Sequence, residues 1–490
     1  AGAVCVQCGH RPRARAAPMV AFLLEGNSEG AINAVVGFCL VGVAIAAAFG
    51  VSFDALRRQR EEGTSGTWGS PSANNKPPAP PTWVGTLLLV SYGLLIPGLV
   101  TVLFSFNIMV DFGLIKLGIG PHGGIDRVPP VTETMVGLVH LLWTTDCALG
   151  AIAVVFYAMV IPALKLALLV LAWLYWHHPA SILCIHIVQS ISKWACPDMF
   201  AYIMIMYLVR GLNHPSMLRS MMRLDLGFTF FSFFCVVSTI ASLGVDARAA
   251  QSRSGPWNRA VKRLGQRGAA YAVGLLCVAF AALFVLGLSM PLMSLRLKLH
   301  MLYQPHGPLP AAIMGIPLEP VIEGLHIQEK ANSDVSLFDA IGACGIWALG
   351  GELNCFVAFV MLVAFVLGLT LADMALLASM AWGLLGQRHV RPRMKLAVAL
   401  RKLSMLDVLT VGVAVVTLCM SMYHKDGIFV SMGPGQMGLV CAELVHYATY
   451  YLVVAAVQEY DQPCDVSYLD LLTNGAACKS AEFRQGANGL

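Results

Sequence analysis

The stretch that decides the fold is ALGAIAVVFYAMVIPALKLALLVLAWLYW, residues 148–176. Lys165 is its single charged residue. A helix needs about 20 apolar residues to cross the hydrocarbon core of a bilayer, which is about 30 Å thick. We therefore predict a membrane-spanning helix here, with a lysine placed inside the membrane.

The composition of the whole chain agrees with this prediction. Of 490 residues, 57% are hydrophobic and 12% are charged, and the mean hydropathy is +0.71. A soluble domain carries about 25% charged residues, so this chain lacks the residues for a water-facing surface. Soluble enzymes, nucleic-acid-binding modules and disordered scaffolds are excluded on this ground. The net charge of +5 is small for the length.

Nine apolar segments are predicted to be spans of an all-α polytopic membrane protein. They are residues 31–53, 83–106, 148–176, 195–210, 224–245, 270–293, 355–386, 403–422 and 433–457. Two further apolar stretches, 131–143 and 336–349, are too short to span and are predicted to be interfacial or lid helices.

Charges between the spans predict the orientation in the membrane. The connections after residues 245 and 386 are rich in Lys and Arg, whereas the loop 294–354 is rich in Asp and Glu. Because basic loops stay on the cytoplasmic side, the two basic connections are expected to face the cytoplasm or its organellar equivalent. The side of the N-terminus stays open, and both a bacterial inner membrane and an organelle membrane fit.

An internal repeat is predicted from matching segments. The last eight spans divide into two four-helix modules, 83–245 and 270–457, joined by the basic connector 246–269. The separation from Trp173 to Asp198 equals that from Trp382 to Asp407, 25 residues in each copy. Four helices per module return the chain to the same side, so the predicted symmetry is a parallel repeat.

The remaining segments lie outside the modules. They are an N-terminal segment 1–30, an extra helix 31–53, a Pro/Gly/Ser-rich linker 54–82 and an acidic polar tail 458–490.

Several motifs together resemble one known family. They are VIPALK at 160–165, AWLYW at 172–176, KWACPDMF at 193–200, LVRG at 208–211 and KLSMLDV at 402–408. This combination resembles the paraquat-inducible protein A family. The resemblance implies two four-helix membrane modules, each preceded by a cytoplasmic zinc ribbon, and a partnership with MCE-domain proteins in moving lipid between membranes.

The chain also departs from the family pattern. Cys5 and Cys8 form a lone Cys-x-x-Cys that resembles one knuckle of a zinc ribbon, and residues 246–269 contain no cysteine. Structural zinc takes four ligands, so zinc here requires further ligands from residues outside this numbering, another subunit or His10. The second module has Leu371 and Met374 where the first has Pro162 and Lys165.

Lys165 and Pro162 are predicted to form a polar pocket for a lipid headgroup. A lysine near the bilayer centre is costly, so it is expected to face a cavity or a partner group. Pro162 removes a backbone donor and frees a carbonyl nearby. The alternative is that Lys165 serves assembly only.

Four further charged residues flank the starts of two spans. Asp198 and Asp407 lie in the first turns of their helices, with Lys193 and Lys402 five residues before them. The carboxylates are predicted to cap the helices. The alternative is an ion pair between modules that changes with the transport state.

Other polar residues inside spans complete the candidate network. Asp373 is predicted to face Lys165 across the repeat axis. Glu443 and His446 share one face of the last span and are predicted to form a structural pair, with a proton-responsive site as the alternative. The full set of candidates comprises Pro162, Lys165, Trp194, Asp198, Asp373, Lys402, Asp407, Glu443 and His446.

The sequence predicts a non-enzymatic membrane component of an intermembrane lipid transport system. No phosphate-binding loop, nucleophile elbow or metalloprotease motif is present in it. Expected partners are membrane lipid and an MCE-domain protein or other subunits, with zinc at Cys5 and Cys8 as the one possible cofactor and no nucleic acid. A transporter of small solutes or ions and a structural subunit of a large membrane complex are the alternatives.

Overall fold

A computed structural model describes most of the hydrophobic part of the chain. The described residues are 29–64, 81–111, 116–118, 131–145, 147–175, 178–213, 218–245, 256–298, 312–313, 316–317, 332–385, 391–421, 424 and 428–460. The predicted zinc knuckle with Cys5 and Cys8, most of the linker and the tail after residue 460 lie outside these residues.

The chain begins with one long helix and a first half built from helices and short strands. The helices are α1 (Glu29–Thr64), α2 (Thr82–Val100), α3 (Met135–Thr144), α4 (Ala148–Val155), α5 (Ile161–Leu174), α6 (Pro179–Ile191), α7 (Pro197–Gly211) and α8 (Leu226–Leu243). The strands are β1 (Val102–Asp111), β2 (Lys116–Gly118), β3 (Val131–Thr134) and β4 (Leu218–Leu224).

The second half has a comparable order of elements. Its helices are α9 (Pro256–Ser289), α10 (Leu337–Leu349), α11 (Leu353–Val360), α12 (Leu369–Leu385), α13 (Arg391–Leu403), α14 (Leu406–Cys419) and α15 (Pro434–Tyr460). Its strands are β5 (Pro291–Leu297), β6 (Ala312–Ile313), β7 (Ile316–Pro317), β8 (Ser333–Ser336) and β9 (Ile428–Met432).

The all-α prediction holds for the membrane part, but small antiparallel sheets occupy the loops. In the first half β1 pairs with β2, β3 and β4, and in the second half β5 pairs with β8 and β9. The two halves share this pattern. The strand after the first span (β1 or β5) pairs with the strand before the short apolar helix (β3 or β8) and with the strand before the last span (β4 or β9). Backbone groups that leave the helices are satisfied in this way.

Two predicted spans need correction because of these strands. The predicted span 83–106 stops at Val100, and its apolar continuation is β1. The predicted span 270–293 ends at Ser289. Its helical stretch from Pro256 is broken at Gly265, whose φ of 69° is non-helical, so the span itself begins after this glycine. Pro291 already belongs to β5, where it cannot continue the helix hydrogen bonding.

Within the described ranges, eight helical segments are long and apolar enough to cross a membrane, where nine were predicted. The predicted span 195–210 is α7, which has 15 residues and falls short of the length needed. The two stretches predicted to be interfacial form the short apolar helices α3 and α10. The chain is an all-α polytopic membrane protein.

The spans differ in the fraction of their residues that the rest of the protein buries. In α8, 78% of the apolar window is buried inside the protein, against 17% in α1. Large apolar side chains such as Phe38, Leu89 and Leu275 are exposed on outward faces. The outward faces of the bundle thus suit contact with lipid, and α8 lies at its centre.

A π-helical turn precedes Pro162. The turn covers Phe156–Val160, between α4 and α5, and a second π-helical segment, Met361–Gly368, lies between α11 and α12. The Pro162 carbonyl accepts a hydrogen bond from Tyr92 at 3.0 Å. The π turn accommodates the proline within one continuous span.

The two halves meet along a surface that we call the seam, formed chiefly by α7 of the first half and α14 of the second. Gly412 of α14 allows the helices to approach closely, since a β-carbon there would lie 2.7 Å from the carbonyl oxygen of Pro197. The α4 helix also contacts α14, and α1 contacts both α8 and α11. Of the candidate residues, Lys402 and Asp407 make polar contacts across the seam.

Candidate functional site: a polar network along the seam

Lys165 is enclosed within the first half. Its side chain is fully buried, and its ammonium group donates hydrogen bonds to the Ser192 hydroxyl and, at 2.8 Å, to the Ser238 carbonyl oxygen. These partners come from the turn before α7 and from α8. The lysine therefore does not point into lipid, and its partners are neutral polar groups.

The network continues from Lys165 to the second half. The hydroxyls of Ser192 and Ser242 lie 2.9 Å apart, and the Gln189 amide donates to the carbonyl oxygens of Ser242 and Val245. The Gln189 carbonyl oxygen accepts a hydrogen bond of 2.5 Å from Lys402. Lys402, which is partly exposed, thus bridges the seam to a neutral amide.

Lys193 and Asp407 form an ion pair across the seam. Their charged atoms are 2.5 Å apart and both side chains are almost entirely buried. Asp407 also accepts hydrogen bonds from the Tyr447 hydroxyl at 2.8 Å and from the backbone N–H of Val408 at 2.9 Å. Trp194, which follows Lys193, packs partly buried against the main core.

Asp198 differs from Asp407 although both follow a lysine by five residues. Asp198 is buried, and neither of its carboxyl oxygens has a hydrogen-bond partner in the described part of the chain. The predicted capping role is therefore wrong for Asp198. Asp407 has a backbone partner and an ion pair at once.

A second buried cluster lies within the second half. His446 contacts Asp373 at 2.9 Å through Nε2 and Glu443 at 3.3 Å through Nδ1. Arg401 pairs with Glu443 at 3.1 Å and stacks over the ring of Tyr447. The Arg401 guanidinium also lies 2.6 Å from His446 Nδ1, so the cluster places two carboxylates and one guanidinium around one imidazole.

The predicted pairing of Lys165 with Asp373 is wrong. Lys165 takes its partners from the first half, whereas Asp373 takes His446 of α15. The prediction placed the two residues by their similar positions in the two copies. Sequence position along a helix does not give the direction in which a side chain points across the axis.

The sequence reasoning missed an ion pair at the other end of the seam. Arg210, in the last turn of α7, binds Glu352 with two hydrogen bonds, of 3.2 and 2.7 Å. Its guanidinium also donates to the Met222 carbonyl oxygen and stacks over Trp347. Arg210 was visible in the LVRG motif, but nothing in the sequence identified its partner 142 residues away.

Burial and hydrogen bonding act in opposite directions on Glu352. Burial alone would raise the pKa of this carboxyl, but hydrogen bonds from Arg210 and Cys355 and the charge of Arg210 outweigh it. The pKa of Glu352 therefore lies below its usual value. The residue precedes α11, outside the membrane-spanning segment.

The two ion pairs lie near opposite ends of α7. Lys193 precedes the helix and Arg210 is in its last turn, so they are separated by about 25 Å at 1.5 Å per residue. The charge bias of the connecting loops predicts that the Lys193 end is the cytoplasmic or inner end and the Arg210 end the outer one. Among the described residues there is no group of three His, Cys, Asp or Glu side chains that could hold a metal ion.

These features define a class: a multi-pass helical membrane protein whose two halves close on a buried polar seam. The family model described as paraquat-inducible protein A matches residues 130–254. This match confirms the resemblance for the motifs between residues 160 and 211, and it covers Lys165, Lys193, Asp198 and Arg210. Comparison with curated proteins found no match, and comparison with solved structures found none.

Proposed function

We propose that this protein is the membrane-embedded component of a lipid transport system and that it acts without catalysing a covalent reaction. The observation that carries the proposal is the seam, which is held by an ion pair near each end of α7. With both ion pairs formed, the two halves are in contact along the seam, which corresponds to a closed state. Release of one end at a time would open the seam to one side of the membrane.

The inner end of the seam offers a site for an anionic headgroup. Lys193 and Lys402 both reach across the seam there, to Asp407 and to Gln189. When the halves separate at this end, two ammonium groups lose their partners. A lipid phosphate would supply replacement charge-assisted hydrogen bonds.

This assignment revises the role expected for Lys165. In the closed state Lys165 is enclosed by α5, α8 and the turn before α7 and is satisfied by Ser192 and Ser238. It orders these elements, and it meets a lipid headgroup only if α5 moves away from α8. We therefore assign the first headgroup contact to Lys193 and Lys402.

We also infer that the two halves are copies related by a parallel repeat. Supporting this, both halves contain a strand after the first helix, a short apolar helix capped by Thr134 or Ser336, and a π-helical segment in the second span. The pairing order β3-β1-β4 in one half has its counterpart in β8-β5-β9. Two such bundles would rock about the seam as bodies of similar shape.

Family resemblance supports an MCE-domain protein as the partner that takes the lipid at the outer end. The exposed apolar residues Trp143 of α3 and Leu349 of α10 lie on the short helices at that end. Zinc at Cys5 and Cys8 stays part of the proposal and is tested by metal analysis of the purified chain. A bacterial inner membrane is the location that this partnership favours.

The proposal is tested by lipid transfer between vesicles. The protein is placed in donor vesicles with a fluorescent phospholipid, and arrival in acceptor vesicles is measured. We expect K193Q and K402Q to lower the rate at least several-fold. K395Q is the matched control, because Lys395 is exposed on the same helix as Lys402. Transfer no faster than in protein-free vesicles would refute the proposal.

A transporter of ions or small solutes is the second candidate, and the cluster of Asp373, His446, Glu443 and Arg401 favours it. Buried titratable groups inside spans are typical of proton relays. Uptake of a solute or of protons into protein-containing vesicles, without lipid transfer, would support this candidate instead. Copurification of the chain with a large complex, without either activity, would support a structural role.

A further inference from the structure

The outer end of the seam holds a pair of thiols that the transport proposal does not use. Cys147 immediately precedes α4 in the first half, and Cys419 is the last residue of α14 in the second half. Both side chains are buried, with 5% and 9% of their surface exposed. They come from positions 272 residues apart and meet because α4 packs on α14.

The geometry brings the two sulfur atoms close to each other. A β-carbon at Gly150 would lie 3.0 Å from the Cys147 sulfur and 3.1 Å from the Cys419 sulfur. The sulfurs are therefore no more than about 6 Å apart, and the absent side chain of Gly150 leaves the space between them open. A disulfide requires the sulfurs to move to about 2.05 Å from each other.

The surroundings hold the Cys147 thiol against the second half. Its sulfur lies 3.0 Å from the carbonyl oxygen of Leu418 and 3.4 Å from the hydroxyl of Ser421. Leu418, the residue before Cys419, is exposed, whereas both cysteine side chains are buried. An oxidant therefore reaches the thiols when the chain opens locally at this end of the seam.

The predicted orientation places this pair at the end of the seam opposite the basic connections. That side is non-cytoplasmic, where disulfides form and persist. By contrast, Cys235 donates to the Ala195 carbonyl oxygen at the start of α7, near the inner end. The location therefore separates the Cys147 and Cys419 pair from the thiols at the inner end.

We propose that Cys147 and Cys419 are a redox modification site, at which a disulfide covalently fastens the two halves together. The Cys147 thiolate attacks a disulfide oxidant, forming a mixed disulfide and expelling one thiolate. The Cys419 thiolate then attacks the Cys147 sulfur and expels the second. The protein loses two electrons and two protons, and the oxidant is reduced to two thiols.

The test is peptide mapping of the full-length protein in membranes. Samples are treated with oxidised glutathione, remaining thiols are blocked with N-ethylmaleimide, and the protein is digested without reductant. We expect a peptide pair joining Cys147 to Cys419 that disappears after reduction. The pair should be absent in C147S and C419S, and it should persist in C441S, which removes an exposed cysteine elsewhere.

A third variant tests the geometry with both thiols retained. G150A places a methyl group between the two sulfurs, so the yield of the crosslink should fall several-fold. Thermal unfolding of each variant checks that the fold is kept. N-ethylmaleimide on both Cys147 and Cys419 after oxidation, or an undiminished yield in G150A, would overturn the proposal. Peptide mapping and thermal unfolding do not measure lipid transfer, so their outcome is independent of the proposed function.

Discussion

The ion pair between Arg210 and Glu352 provides a quantitative test of the outer end of the seam. The perturbation is a double-mutant cycle with R210M, E352Q and the combined variant. Each single variant loses more free energy of unfolding than the ion pair contributes, because Arg210 also contacts the Met222 carbonyl oxygen and the Trp347 ring. The cycle isolates the energy that the two side chains share.

The size of the coupling follows from burial and geometry. The Arg210 side chain is 10% exposed and the Glu352 side chain 29%, and the contact is bidentate. Exposed pairs contribute about 0.2–1 kcal/mol, whereas breaking a fully buried pair costs about 3–5 kcal/mol. We expect a coupling of about 2 kcal/mol, within the range for charged hydrogen bonds.

The assay is reversible unfolding of the purified protein in mixed micelles, with the free energy of unfolding measured for all four forms. The control pair is Arg296 and Asp334, which lie 3.0 Å apart with both side chains about half-exposed. Their coupling should stay below about 1 kcal/mol. A coupling of Arg210 with Glu352 no larger than that of the control would refute the argument from burial.

The pH dependence of the same pair has a defined sign. Because the folded-state pKa of Glu352 is lowered, its contribution is complete above the pKa of an unfolded glutamate, about 4.3. The contribution is lost as the pH falls through the lower folded value. The stability difference between the wild type and E352Q should therefore shrink in acid, and a difference that grows there would contradict this assignment.

Four further variants test the inner part of the seam and the neighbouring Lys165. G412V should lower the melting temperature by several degrees, because its β-carbon would lie 2.7 Å from the Pro197 carbonyl oxygen. D198N should be tolerated in thermal unfolding, since no hydrogen bond is lost, whereas D407N should destabilise by about 2–3 kcal/mol; equal effects would contradict the difference between them. K165M should keep the fold in size-exclusion chromatography and slow lipid transfer, and unchanged transfer would limit Lys165 to assembly.

The sequence predicted the membrane part of the fold because composition alone constrains it. In lipid, the backbone N–H and C=O groups of an apolar segment such as 148–176 must hydrogen-bond to one another, and an α-helix achieves this within the segment. The short helices α3 and α10 were predicted for the same reason. Where the chain leaves the membrane, this constraint ends.

The strands show where the prediction failed. The segment LFSF, residues 103–106, extends the apolar run of α2, so hydropathy joined it to the predicted span 83–106. Its partners in β3 and β4 lie far along the chain, and periodicity within one segment contains no information about them. The strand was identifiable only from its aromatic and β-branched residues after Pro97 and Gly98.

The candidate site was predicted as a set of residues but not as a set of pairs. Charged residues inside spans are few, so their position within an apolar segment is enough to identify them as candidates. Lys193 and Asp407 are 214 positions apart in the sequence. Each lysine also has a nearer aspartate five residues after it, Asp198 after Lys193 and Asp407 after Lys402, so spacing does not identify the pair. Only the packing of α7 on α14 determines which lysine meets which carboxylate.

That packing breaks the symmetry that the proposed repeat would impose. A perfect duplication would pair Lys402 with Asp198 as Lys193 pairs with Asp407. Instead Lys402 contacts Gln189, and Asp198 has no hydrogen-bond partner among the described residues. A buried carboxyl without a partner is costly and contributes nothing to the closed state. Asp198 therefore gains hydration or a partner when the seam opens, and its substitution should affect transport more than stability.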